Sequence, residues 1–126
     1  MWRAPSRRMA SQESFRDLEV WQEAMTLVEE IYALTKSFPR DERFGLTAQL
    51  RRAAVSIPSN IGEGARRRGG AFRLHIEIAL GSQGEIEVQM ELARRLGMCD
   101  IGAYEGLMQR VSRIGRMLHG LRKSIP

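Results

Sequence analysis

The chain has 126 residues and a mass of 14.3 kDa, enough for one domain and too little for two ordinary ones. Hydrophobic residues at 43% and charged residues at 28% exclude a disordered composition, and an aromatic share of 6% makes the core mostly aliphatic. A net charge of +5 and a pI near 10.3 permit nucleic-acid binding without requiring it.

The periodicity predicts an all-α chain: four helical segments and no strand-like alternation. The first covers residues 17–37, with Leu18, Trp21, Met25, Val28, Ile31 and Tyr32 at three- and four-residue spacing. Phe38-Pro39 ends it, because the residue before proline is pushed out of the α region. The second covers 41–64, with Leu46, Leu50, Ala53, Ala54, Ile57 and Ile61 on one face. Pro58 falls inside it, so the helix kinks there or restarts at Ser59 or Asn60; the shared face of Ile57 and Ile61 favours the kink. Residues 64–70, with Arg66, Arg67 and Arg68 between glycines, read as a basic connection. The third helix covers 70–97 and ends at Gly97, a C-terminal capping glycine. The fourth covers 100–123 behind an Asp100 cap, with Ile101, Tyr104, Leu107 or Met108, Val111, Ile114, Leu118 and Leu121 in its stripe. Short connections between long helices give an antiparallel up-down-up-down four-helix bundle over 15–126, preceded by a flexible basic tail over 1–14.

Three features exceed what a plain bundle needs. The second helix carries a polar stripe of Gln49, Arg52, Ser56, Asn60 and Glu63 beside its apolar one. This is either a solvated face or a seam against another helix or subunit. The third helix has an inner apolar face (Phe72, Ile76, Ala79, Ile86, Met90, Ala93) and an outer one (Leu74, Ile78, Val88, Leu92, Leu96). One monomeric core does not need both, so the outer face suits a subunit interface. Glu85 lies in the middle of that outer face, where it snorkels or pairs with an arginine. Gly81 and Gly84 stand one above the other, as close approach of another backbone or weak selection would leave them.

The charge is segregated. Residues 1–16, 62–73 and 100–126 each carry +3, separated by two stretches of −2. Arg66, Arg67 and Arg68, with Arg113, Arg116 and Lys123 on one side of the fourth helix, are the candidate phosphate contacts; a solvated basic face is the alternative. The few aromatics argue against a base-stacking platform.

Catalytic and metal signatures are missing. His75 and His119 have no partner at helical ligand spacing, residues 64–70 lack the lysine of a phosphate loop, and Cys99 has no adjacent base. No enzyme activity, metal or cofactor is expected. The single cysteine excludes an internal disulfide and suits a reducing compartment. No apolar run exceeds the four residues Ile31-Tyr32-Ala33-Leu34, and the basic N-terminus lacks the apolar stretch of a secretory signal. The expectation is a cytoplasmic protein without a membrane partner.

Several runs carry a family likeness. Phe15-Arg16-Asp17-Leu18-Glu19-Val20-Trp21-Gln22, Glu42-Arg43-Phe44-Gly45-Leu46-Thr47 and Gln49 through Ile61 resemble the proteins encoded by intervening sequences in bacterial 23S ribosomal RNA genes. Glu63-Gly64, Ile78-Ala79-Leu80-Gly81-Ser82 and Glu85 continue the likeness, which spans residues 15–122. It implies an antiparallel four-helix bundle that assembles as a homopentameric ring. It also implies a distant likeness to the accessory protein of diversity-generating retroelements, a basic pentamer that binds reverse transcriptase and nucleic acid. Two departures stand out: Gly69-Gly70, where relatives carry cap-forming residues, weakens the start of the third helix, and Gly84 puts its straightness in question.

The combined expectation is a non-enzymatic homo-oligomer. Arg66, Arg67, Arg68, Arg113, Arg116 and Lys123 would contact RNA or DNA, while Arg52, Ser56, Asn60, Glu63 and Glu85 would organise a polar seam. The alternative is a protein-only assembly module whose basic face docks an acidic partner.

Overall fold

A computed structural model describes residues 14–126; the tail expected over 1–14 lies, apart from Ser14, outside the described residues. Four helices make up the fold: α1 (Glu19–Thr35), α2 (Leu46–Arg67), α3 (Gly69–Arg95) and α4 (Ile101–Ser124). Short 3-10 turns at Ser14–Asp17 and Arg40–Glu42 precede α1 and α2. Each helix packs on the next in the chain, α4 closes back on α1, and α2 against α3 is the most extensive contact. α1 and α3 therefore sit on one diagonal and α2 and α4 on the other, which is the up-down-up-down bundle expected from the sequence.

The core is a column of aliphatic side chains. Leu27, Ile31, Leu50, Ile57, Ile61, Ile76, Ile86, Met90, Val111, Ile114 and Leu118 are fully enclosed. Each contributes about 1.5–3 kcal/mol relative to an exposed position. The expected faces of α2 and α3 point inward, and so does that of α4 from Leu107 onward; in its first turn Ile101 is 57% exposed, because the end of the helix overhangs the core. The face of α1 does not point inward: its core residues are Val20, Ala24, Leu27, Ile31 and Thr35, so the helix is turned by about a quarter revolution from the expected stripe. Small Ala24 lets the helix sit close to the core. The larger Trp21, which meets Phe15 edge-on at 5.3 Å, and Val28 pack at the flank, while Met25 and Tyr32 remain about 40% exposed.

α2 runs unbroken through Pro58, and Asn60 is no cap: its amide donates to the Ser56 carbonyl oxygen at 2.9 Å, inside the helix. The helix starts at Leu46 rather than at 41, because residues 40–42 form the 3-10 turn and Glu42 Oε1 accepts the Leu46 N–H at 3.0 Å.

The expected connection over 64–70 contracts to a single residue. α2 extends to Arg67, α3 begins at Gly69, and Arg68 at φ 65, ψ 171 makes the reversal. That backbone region is nearly exclusive to glycine and costs another residue about 1–3 kcal/mol. Gly69 follows at φ 58, so this glycine serves the reversal that a capping residue could not enter cheaply. α3 then continues unbroken through Gly81 and Gly84. At the opposite end Gly97 takes φ 73, with Met98 N–H on the Ala93 oxygen and Gly97 N–H on that of Arg94; Asp100 Oδ1 caps α4 through Ala103 N–H at 2.7 Å.

Candidate functional site

The alternating topology gathers separated basic segments at one end of the bundle. Arg66 and Arg67 close α2, Arg68 is the turn, and Arg122 and Lys123 close α4. Two contacts tie this end together: Arg73 Nη2 donates to the Ile125 oxygen at 2.8 Å, and the Phe15 ring packs over Gly62, where an added Cβ would meet it at 3.5 Å. Phe15 also marks where the basic N-terminal segment joins the bundle. Cations in the last turns of α2 and α4 are favoured by the helix dipoles, which concentrates positive charge here at little cost.

Four of the six candidate phosphate contacts share this end. Arg67 pairs with Glu63 at 3.1 Å, and neighbouring Arg122 with Glu77 at 3.6 Å; both pairs are exposed and worth little. Arg66, Arg68 and Lys123 are exposed and hold no ion pair among the described residues. Arg113 and Arg116 stand apart, about 15 and 10 Å down α4 from Lys123 at 1.5 Å per residue. Arg113 is engaged by Glu19 at 2.9 Å, and Arg116 is unpaired among the described residues.

The polar stripe of α2 divides. Ser56 and Asn60 turn onto α3, where Ser82 Oγ donates to Ser56 Oγ at 2.8 Å and His75 Nδ1 meets Asn60 Oδ1 at 2.9 Å. Arg52 and Glu85 point to solvent with no ion pair among the described residues, and Glu63 serves Arg67. The outer apolar face of α3 lies open: Leu74, Ile78, Val88, Leu92 and Leu96 are 45–63% exposed. Side chains added at Gly81 and Gly84 would meet nothing within 4 Å.

The model of the 23S rRNA-intervening sequence protein family matches residues 16–120. The chain belongs to that family. Among solved structures it is similar to a protein of unknown function from the S23 ribosomal protein family of Bacteroides thetaiotaomicron. That likeness has a TM-score of 0.77 and 24% identity and covers 83% of this chain and 96% of that one, which establishes the shared fold. No curated protein matches the chain.

On this family bundle the structure adds side chains that periodicity does not reveal. Arg110 of α4 bridges Glu23 at 2.6 Å and Glu30 at 2.7 Å on α1; hydrogen bonding to Glu30 raises its pKa further. Glu91 accepts from Arg95, Tyr104 and Arg94, which hold its carboxyl at about 2, below the usual range, and fasten the end of α3 to the start of α4. Gln83 is buried with its amide on the Val111 oxygen at 3.2 Å. Gln89 is buried too, and its Oε1 has no partner among the described residues. Burial, with Asp100 next, pushes the Cys99 thiol up, opposite to what a thiolate nucleophile needs. The one clue to these clamps was the spacing of opposite charges, and it does not say which helix supplies the partner.

Proposed function

We propose that this family member is a non-enzymatic, cytoplasmic homo-oligomer, a pentameric ring as its family likeness implies. Its basic end binds nucleic acid through the phosphate backbone. The observation that carries this reading is the convergence of Arg66, Arg68 and Lys123, unpaired among the described residues, at the end where the basic N-terminal segment joins. Guanidinium and ammonium groups without strong partners are free to displace counterions from phosphates, and the aromatic-poor surface has no stacking platform for reading bases. The outer face of α3 supports self-association, because about half of each large apolar side chain there is left in water.

Filter binding to a structured RNA over a salt series tests the reading. Affinity should fall linearly with the logarithm of salt concentration. An Arg66→Ala/Arg68→Ala/Lys123→Ala variant should lose about one unit of slope per phosphate contact removed, equally for RNA and DNA of different sequences. Absence of binding at low salt, or binding indifferent to salt, overturns it. If nuclease-treated protein still captures an acidic protein partner through the same three residues, the surface is a protein-docking module instead.

A further inference from the structure

We infer that the furrow between α1 and α2 docks an acidic amphipathic helix supplied by a different protein, with one carboxylate of that helix received by Arg51. This surface is separate from the basic end and from the outer face of α3.

Besides the α3 stripe, the molecule leaves a second apolar patch in water, on another side. Met25 and Tyr32 of α1 and Val55 of α2 are 39–40% exposed, and the half-buried Trp21 and Val28 back them. Trp21, Met25, Val28 and Tyr32 follow one another at three- and four-residue steps, so they form a ridge about 16 Å long, three helical turns. The chain itself fills the start of this furrow. Phe15, from the Ser14–Asp17 turn, packs over Gly62 of α2 and meets Trp21 of α1 edge-on. Beyond Trp21 the described residues leave the furrow open, whereas the other flank of α1 is sealed by Glu23 and Glu30 holding Arg110 of α4.

Arg51 gives the patch its sign. Its Nε donates to Thr35 Oγ1 at 2.9 Å and its guanidinium lies 4.5 Å over the Tyr32 ring, so the group is fixed before any ligand arrives. It holds no ion pair among the described residues, and exposed Lys36 stands one turn beyond Tyr32 on the same rim. Glu29 is the acid of this rim, and Arg51 with Lys36 leaves it net positive. A guanidinium fork held in this way loses little side-chain entropy on taking a carboxylate, the planar acceptor it matches.

The occupant must therefore bring apolar side chains over three turns and an acid at their edge. An amphipathic helix laid along the furrow does both, with anchors at i, i+4, i+7 and i+11. Met25 suits such a seat, because its flexible thioether adapts to the anchor it meets. The ridge is too short for α3 of a second copy: that stripe runs from Leu74 to Leu96, about 33 Å, and half of it would stay in water.

The probe is a synthetic helix of about 15 residues with leucines at those four positions and glutamates beside them, titrated with the native protein by fluorescence anisotropy. It should bind saturably, and the same peptide with lysine in place of glutamate should bind at least about tenfold more weakly. Arg51→Gln should remove most of that preference. Val55→Arg, or Met25→Arg should the first fail to fold, should abolish binding with circular dichroism unchanged. Leu92→Arg on the outer face of α3 and the Arg66→Ala/Arg68→Ala/Lys123→Ala variant should bind the peptide as the native chain does, which separates this site from the two surfaces described above. Equal binding of the two peptides, no saturable binding of the glutamate peptide, or loss of binding in Leu92→Arg overturns the proposal. So does a fall in native mass by light scattering in Val55→Arg, because a second copy then covers the furrow.

Discussion

The two faces of α3 have almost the same side chains and opposite fates. Ile76, Ile86 and Met90 on the inner face are fully enclosed, while Ile78, Val88 and Leu92, on the same helix, are 45–63% exposed. Hydrophobicity therefore measures only the demand for burial. What meets that demand is set by the neighbours, which are α2 and α4 of the same chain on one side and solvent on the other.

That contrast can be broken by substitution. The largest effect should come from Ile86→Ala, which leaves a cavity inside the bundle and costs about 2–5 kcal/mol of stability. The matching Val88→Ala on the outer face should change folding stability by less than about 0.5 kcal/mol. Urea unfolding of both at a concentration where the chain is monomeric checks the pair, and equal costs would mean that the outer face is covered within one molecule. Next in size is Asn60→Ala, which removes the bonds to His75 and Ser56 at the α2–α3 seam. A loss of about 1–2 kcal/mol is expected, with Arg52→Ala on the open half of the same stripe near zero.

The smallest effect is pH-dependent. The Glu91 carboxyl, lowered from 4.5 to about 2 in the folded chain, stabilises it fully above pH 4.5. That contribution is lost as pH falls from 4.5 towards 2, because the unfolded chain takes up the proton first. Glu91→Gln should therefore melt below the native protein at pH 7, and the gap in melting temperature should close across that window. A gap that persists at pH 2 would show that the α3–α4 fastening owes nothing to charge.

The inner faces of α2, α3 and α4 were readable from spacing because large aliphatic residues mark them without competition. α1 was misread for the opposite reason. Its flank carries larger side chains, Trp21, Met25 and Tyr32, than its core face, where Ala24 matters by being small. The glycines of residues 64–70 suggest a longer connection because glycines usually interrupt helices; here only Arg68 and Gly69 leave the helical region, and Gly70 lies within α3. In the candidate site, the basic residue types were visible at once. Which of them stay unpaired was not, since the pairing of Arg113 with Glu19 spans 94 positions in the chain.

By itself the sequence determined the helical class, the capping residues Gly97 and Asp100 of the short α3–α4 connection, and the surplus of apolar surface on α3. All of these are local, depending on periodicity and on the backbone preferences of single residues. Only the tertiary structure decided that the basic C-terminal turns of α2 and α4 meet at one end, that Ser56 and Asn60 join α3 while Arg52 and Glu85 face water, and that two open apolar patches point in different directions. Those facts depend on which helices become neighbours and how each is rotated about its axis. Packing of the whole core sets that rotation, and no single helix encodes it.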